Sequence, residues 1–464
     1  MEVQSIFSEK GAKLLVLNNF KFSKAHIAKC GKIRWRCTNT KSRCNAKIYT
    51  SADEKTILES QLDHNHEGEK TIARQAISNS VKRKAVEDST ERPSKLIHKE
   101  LTNNDWASDI GSDDLLRVRR NLYEARRDVL PPLPKDINQV FDAVVNLNLK
   151  TKIKDENFLC CLDKENNLII FSCFTNLYFL CSCDTIYMDG TFQYCTKFFY
   201  QLFTIHAFKK GYYVPVIFAL LPDKSCNTYF KLFQNVSDKC NALNLSFNPK
   251  NIVVDFEQAI HSAIYRFWPY SNLTGCRFHL CQAWYRKISN LGLSNEYKDK
   301  NSEIGKFLKL FFGLHFLEPT EVGDFFSLEI FDKSPDDERV IQFCDYIVEN
   351  YISEEAKFPP KVWACNTNSM YRSTNACESF HSLLKNSFYS PHPNIFIFVD
   401  MIINIQNETF AKIKTANEST IIKKFKSVTR KKHEYITSRI KELKENKITK
   451  FDFVRSLSYY YLPQ

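Results

Sequence analysis

The chain has little that would place it in a membrane or on a secretory route. Its longest apolar run, Tyr212 to Pro222, is far too short to span a bilayer. The N-terminus opens with Glu2, Ser8 and Glu9 and lacks the apolar core of a signal peptide. There is no internal repeat and no low-complexity tract, so repeat architectures are excluded. The expectation is a soluble, non-secreted protein. Its sixteen cysteines do not read as a disulfide framework, because the chain is long and carries no secretory signal. Most stand singly in apolar segments, as Cys160, Cys161, Cys173 and Cys240 do, which is the pattern of core thiols in a reducing compartment. Two small groups differ: Cys37 with Cys44, and Cys276 with His279.

What is present is length, an ordinary core composition and positive charge. At 464 residues, 43% hydrophobic and 25% charged, the chain has room for two or three globular domains. A formal charge of +12 and a pI near 8.8 favour an anionic partner, of which nucleic acid is the commonest.

Residues 1–68 form a block rich in Lys, Cys and His, in which "KLLVLNNFKF", "KIRWRC" and "NAKIYTS" read as strands. Residues 69–112 turn polar and read as a mobile linker, with Lys82-Arg83-Lys84 as either a nuclear-import signal or a solvated charge run. Residues 113–150 are expected to form a helix from Asp113 to Val129, stopped by "PPLP", and a second from Asp136 to Leu147. Then come the strand-like runs "NLIIFSC", "DTIYMDGTF", "YQLFTIHAF" and "YYVPVIFALLP". A helix over "NTYFKLFQNVSDKCNAL", the strand "NIVVDF", the helix "EQAIHSAIYRFW" and a strand "LTGCRFH" follow, which together predict a mixed α/β sheet. From about 282 onward the pattern is mostly helical.

Cys37 and Cys44, followed by His64 and His66, offer two thiolates and two imidazoles, the donor set of a structural zinc site. A block of under seventy residues with few aliphatics is hard to stabilise by its core alone, so a metal has structural work there. Trp35, two residues before Cys37, shares its strand face and is placed to pack over the site, and Cys30 is the rival ligand. Gly11, Leu14, Trp35, Cys37, Cys44, His64 and His66 together resemble the FLYWCH zinc finger. Phe20 or Phe22 stands at the tyrosine position of that family. The resemblance implies DNA or protein binding.

Two acids lie at strand positions inside otherwise apolar runs, Asp189 in "TIYMDGTF" and Asp255 in "NIVVDF". A carboxylate on a buried strand is costly unless paired or bound to metal, although strand ends also carry Asp in turns. Phosphodiester chemistry with divalent ions needs such carboxylates, and Mg²⁺ and Mn²⁺ prefer these hard oxygen ligands. A third acid has several candidates by pattern alone: Glu378 in the helical "STNACESFHSLLK", with Thr374 or Asn375 as N-cap, or Glu354, Glu355 or Asp400.

From about 180 to 390 the chain resembles the MULE (mutator-like) transposase domain. The match runs through "DGTF", "YQLFTIHAF…YYVPVIFALL…TYFKLF", "VDFEQAIHSAI", "GCRFHLCQAWYRKI" and "STNACESFHSLL". The resemblance implies an α/β fold built on an RNase H-like mixed sheet over 151–390, with a helical insertion at about 290–365. The small β-rich finger would precede it, and a basic helical region would follow at 391–464. It implies an Asp-Asp-Glu site of Asp189, Asp255 and Glu378 holding Mg²⁺ or Mn²⁺. Cys276 and His279 fill the Cys-x2-His motif of that family, with His279 favoured for a role at the DNA over metal binding. His381, one turn after Glu378, is either an assistant at the same site or a surface histidine. The lysine- and arginine-rich "KKFKSVTRKKHEYITSRIKELKEN" supports contact with phosphates.

The reading that results is a nuclear, zinc-containing DNA transposase. It would act on the element's terminal repeats and on target DNA as a homo-oligomer, with no membrane partner. Its rivals are a domesticated, non-catalytic DNA-binding transcriptional regulator and a zinc-dependent protein-interaction adaptor.

Overall fold

The computed structural model describes residues 3–8, 10–103, 108–147, 152–365, 375–388, 390–419 and 427–459. The chain divides into two compact units, one of residues 1–133 with 387–389, the other of 134–386 with 390–464. Among the described residues no helix is long and apolar enough to cross a membrane.

The first unit opens with a six-stranded antiparallel meander: β1 (Gln4–Phe7), β2 (Lys13–Leu17), β3 (Phe20–Ile27), β4 (Ile33–Cys37), β5 (Lys47–Thr50) and β6 (Ile57–Gln61). The run read as one strand, "KLLVLNNFKF", is in fact a hairpin. Asn18 and Asn19 take φ of 51° and 63°, the paired left-handed geometry of a tight two-residue turn, and asparagine tolerates it. In β4, Ile33, Trp35 and Cys37 are buried while Arg34 and Arg36 face out, the period-two alternation of a half-covered sheet. Trp35 is fully buried and donates from Nε1 to Thr50 Oγ1 at 3.0 Å.

The segment expected to be a mobile linker is instead largely folded into α1 (Ile72–Glu87) and α2 (Pro93–Thr102), followed by α3 (Ser112–Val129). Ile77, Val81 and Ala85 of α1 pack with Leu96 and Ile97 of α2 and with Val118 and Leu122 of α3. The helical period was there, but half of it is carried by alanine, which reads as neutral in a polar stretch. The buried Arg126 of α3 donates to the carbonyls of Ala85 and Asp88 at the C-terminal end of α1 and of Glu91 in the turn before α2. Ile72 and Ala76 share a second small core with Ile6, Leu14 and Val16, so α1 covers the outer face of β1 and β2. Lys82-Arg83-Lys84 therefore sits on a packed helix, with Lys84 ion-paired to Glu100 and Arg83 lying 4.2 Å from the centre of the Phe7 ring.

The second unit begins with α4 (Ile137–Asn146), capped by Asp136, and a two-residue hairpin of β7 (Lys152–Ile153) and β8 (Glu156–Asn157). There follow β9 (Leu159–Asp163), β10 (Leu168–Phe171), α5 (Phe174–Cys181), β11 (Thr185–Thr191), β12 (Gln201–Lys209) and β13 (Tyr212–Leu221). Next come α6 (Cys226–Ala242), β14 (Asn251–Val254), α7 (Gln258–Phe267), β15 (Asn272–Gly275) and α8 (Arg277–Asn290). The main sheet has the order β15-β14-β11-β12-β13-β10-β9. Within it β11, β12 and β13 are antiparallel, while β14 runs parallel to β11 and β15 parallel to β14. The expected strand "LTGCRFH" stops at Gly275. From Cys276 the chain turns into α8, whose Leu280, Cys281, Trp284 and Ile288 are buried at helical spacing.

Residues 294–363 are helical with short irregular turns: α9 (Ser294–Lys298), α10 (Glu303–Leu310), α11 (Val322–Phe325), α12 (Glu338–Ile347) and α13 (Pro360–Trp363). The chain continues through α14 (Asn375–Ser387), α15 (Ile395–Glu418), α16 (Ser427–Lys444) and α17 (Lys450–Ser458). The last three helices do not form one basic region. The long α15 is largely apolar and packs on β13 and α5, with Gln406 exchanging amide hydrogen bonds with the buried Asn176. Phe453, Val454 and Leu457 of α17 are buried in the same core as Phe311 and Phe312.

A Cβ at Gly313 would lie 2.3 Å from the Val454 carbonyl oxygen, a backbone atom that cannot swing aside. Gly313→Ala is therefore expected to cost about 2 kcal/mol through overpacking. The measurement is a urea melt, whose midpoint falls while its slope stays the same.

Candidate functional site

The zinc cluster is built by the meander and the loop after it. Cys37 ends β4, Cys44 lies in the β4–β5 connection, and His64 and His66 follow β6. One ligand atom from each of the four lies within 4.8 Å of every other. Cys37 Sγ is 3.3 Å from His66 Nε2, and Cys44 Sγ is 3.4 Å from His64 Nδ1. Zn–S and Zn–N bonds at tetrahedral angles put S and N about 3.5 Å apart, so the four donors fit the ion. His66 Nδ1 faces the Glu67 carbonyl at 2.9 Å, the kind of outer contact that fixes a ligand imidazole with Nε2 inward. Phe20 stacks flat on His64, with ring centroids 3.5 Å apart. Burial pushes the Cys37 thiol up. At Cys44 burial pushes the same way but is outweighed by the amides of Ala46 and Asn65, which hold the thiol below its ordinary value. Cys30 is exposed and stands outside the cluster. Trp35, Cys37, Cys44 and Phe22 belong to one small core, as the shared strand face of Trp35 and Cys37 requires.

In the second unit Asp189 lies on β11 and Asp255 directly follows β14, its parallel neighbour. The parallel register pairs Thr185 with Asn251 and Tyr187 with Val253. Continued by two residues, it sets Asp189 beside Asp255, on strands that lie roughly 4.8 Å apart. Asp189 is 7% exposed, and its Oδ1 accepts from the Gly190 amide at 2.8 Å. The side chain of Asp255 is 45% exposed, and its Oδ1 accepts from the Phe256 amide at 2.5 Å. The acidic pair thus has a buried member and an open one.

Each aspartate faces a histidine from a different helix. His279, in the first turn of α8, places Nδ1 3.4 Å from Asp255 Oδ1. His381, on α14, places Nδ1 3.6 Å from Asp189 Oδ2. Helix α14 is laid over the strands by Cys377, which packs on Tyr187 and Val253, and by Phe380, edge-on to His206 at 5.2 Å. Glu378 lies on α14 one turn before His381; its side chain is outside the described residues, as are the capping candidates Thr374 and Asn375. Glu354 and Glu355 lie between α12 and α13, and Asp400 is on α15. Cys276 is fully buried at the start of α8, its amide bonded to the Val254 carbonyl at 2.7 Å. Among the described residues only the Cys37 group gathers three or more metal-ligand side chains.

Several supporting residues escaped the sequence reading. His261 is buried on α7 and lies 2.7 Å through Nε2 from the Asp255 carbonyl; desolvation lowers its pKa, so it is a neutral donor that fixes the Asp255 backbone. Thr204 Oγ1 donates to the Asp189 carbonyl at 3.3 Å and lies 3.2 Å from Nε2 of the buried His206. Burial pushes His206 down to about 3. Gln201 donates to the Tyr229 hydroxyl and to the Asp223 carbonyl, and Tyr229 donates to Glu257 at 3.1 Å. A Cβ at residue 190 would lie 2.4 Å from Gln201 Oε1 and would push that amide from its place. The available signal was a Thr and a His inside the apolar run "QLFTIHAF".

No curated protein matches the chain. Residues 5–66 match the FLYWCH zinc finger domain and residues 185–283 match the MULE transposase domain, and together these matches support a DNA-binding protein of transposase descent.

Proposed function

We propose that the protein is a DNA transposase that cleaves and joins strands at an Asp-Asp-Glu site, with the finger as a DNA-binding element. What carries this reading is the β11–β14 register, which continued past Val254 brings Asp189 and Asp255 side by side, with α14, the helix that bears Glu378, packed on the same strands through Cys377. The sheet order supports an RNase H-like reading. Three antiparallel strands are followed by two parallel ones on the far side of the first, and the two aspartates lie on β11 and directly after its parallel neighbour β14.

Asp189, Asp255 and Glu378 would hold Mg²⁺ or Mn²⁺, which when bound supply an activated attacking oxygen and neutralise the leaving one. The residues of the chain itself set the geometry. The Gly190 and Phe256 amides each fix one carboxylate oxygen, and His261 and Thr204 hold the two aspartate backbones. His279, beside the open carboxylate of Asp255, is placed to orient a phosphate oxygen. Water would be the first nucleophile, and the freed 3′-hydroxyl the second. The basic surface of α16 would neutralise phosphates of a long duplex. The setting is the nucleus, and two or more copies would hold the element ends together.

The test is to incubate the zinc-loaded chain with DNA carrying candidate terminal repeats and Mn²⁺, and to follow nicking and joining on a denaturing gel. Metal-dependent nicking is expected. Salt-sensitive binding with no cutting at any metal concentration would replace this reading with that of a regulator. Neither cutting nor binding would leave a protein-interaction adaptor.

A further inference from the structure

The connection from β11 to β12 leaves the acidic pair and carries an aromatic surface that the chemistry above does not use. Phe192, three residues after Asp189, is 46% exposed, and Tyr200, at the start of β12, is 48% exposed. Their rings meet edge to face with centroids 5.2 Å apart, forming a step open to solvent. The loop beneath is anchored. Cys195 and Thr196 are buried, the Tyr200 amide donates to the Leu221 carbonyl at 2.8 Å, and the Gln193 carbonyl accepts from the His392 amide at 2.9 Å. Phe198 is held at a φ of 80°, a left-handed conformation rare for a bulky residue and the kind of strain that concentrates at functional loops.

Charge points to the occupant. The connection from Gly190 to Tyr200 contains no Asp or Glu and carries one cation, Lys197. Lys197 lies within the loop, its Nζ 5.1 Å from the Phe198 ring. An aromatic step on a loop that carries a lysine and no acid, three residues from Asp189, has the composition of a platform for an unpaired nucleobase.

We propose that Phe192 and Tyr200 stack an unpaired base of DNA whose backbone passes the Asp189 and Asp255 site, so that the strand being cut is recognised partly as single-stranded. This rests on the transposase reading for the identity of the ligand. Stacking is sequence-tolerant, because every base has a π-face. Its contribution is to favour distorted or opened DNA at the cleavage point over an intact duplex.

The experiment measures binding of the zinc-loaded full chain, without divalent metal, to three labelled DNAs. These are a mixed-sequence duplex, the same duplex with a short single-stranded gap, and the gapped duplex with abasic sites across the gap. The expected result is that wild type prefers the gapped DNA to the abasic one by roughly tenfold. Phe192→Ala and Tyr200→Ala should each erase most of that preference while leaving duplex affinity and melting curves unchanged, and Phe192→Trp should keep it. Equal binding of gapped DNA by wild type and Phe192→Ala would overturn the proposal. So would a loss that persists on the abasic DNA, or one that appears instead as changed self-association, which would assign the rings to a protein contact. Because the readout is metal-free binding, absence of nicking condemns the catalytic reading without touching this result, and the reverse also holds.

Discussion

Asp189→Asn is expected to lower metal-dependent strand cleavage by about a thousandfold, while duplex binding and the melting curve stay close to wild type. The asparagine is nearly isosteric, and its Oδ1 can keep the hydrogen bond from the Gly190 amide. The fold therefore has little reason to change. What is lost is a negative charge at a position only 7% exposed, where water cannot substitute for it. At the proposed two-ion site, removing one carboxylate would forfeit about 4 kcal/mol of transition-state stabilisation, which corresponds to the thousandfold figure. Stability should hold or rise slightly, since a buried carboxylate is replaced by a neutral amide. Single-turnover nicking assays with Mn²⁺ check the rate, and a thermal melt checks the fold. Cleavage by the variant at the wild-type rate would remove Asp189 from the chemistry.

Zinc removal should produce the largest effect on structure. Chelation, or Cys37→Ser, is expected to unfold the meander, because zinc contributes about 10–16 kcal/mol to domains of this kind. The nine buried hydrophobic residues of this core, Trp35 among them, include two of the ligands themselves, so the core and the ion are one structure. The effect should travel. Ile72 and Ala76 of α1 are buried on Ile6, Leu14 and Val16, and amides in α1 should lose hydrogen-exchange protection along with those of β1 and β2. Cys30→Ser, at an exposed position outside the cluster, should bind zinc and melt as wild type does. Chelated protein with an unchanged circular dichroism spectrum and unchanged exchange would sink the structural role.

Particular residues show why some of this was legible in the sequence and some was not. The strands around Asp189 and Asp255 are continuous apolar runs buried on both faces, so a lone carboxylate in either stands out. Cys37, Cys44, His64 and His66 are close in sequence, and a donor set is visible as such. The hairpin at Asn18-Asn19 was hidden because no glycine marks it, and α1 because alanine carries half its apolar face. The buried partners Thr204, His206 and His261 were hidden for another reason. Their polar atoms are satisfied by backbone and by each other, and only the folded arrangement shows which carbonyl a mid-strand threonine or a helical histidine will find. The helix α8 was mistaken for a strand at its first turn, where four residues cannot distinguish the two periods.

The burial of α17 in the core that contains Phe311 and Phe312 bears on how the protein is made. Until Lys450–Ser458 leaves the ribosome, the surface near Gly313 that receives Val454 stays open to solvent. A seam of that length in sequence forms slowly, and a nascent chain waiting on it is exposed to aggregation. Synthesis of the second unit should thus depend on chaperones until α17 has been made. A chain interrupted before α17 would carry the finger and both strand aspartates on a body that has not closed.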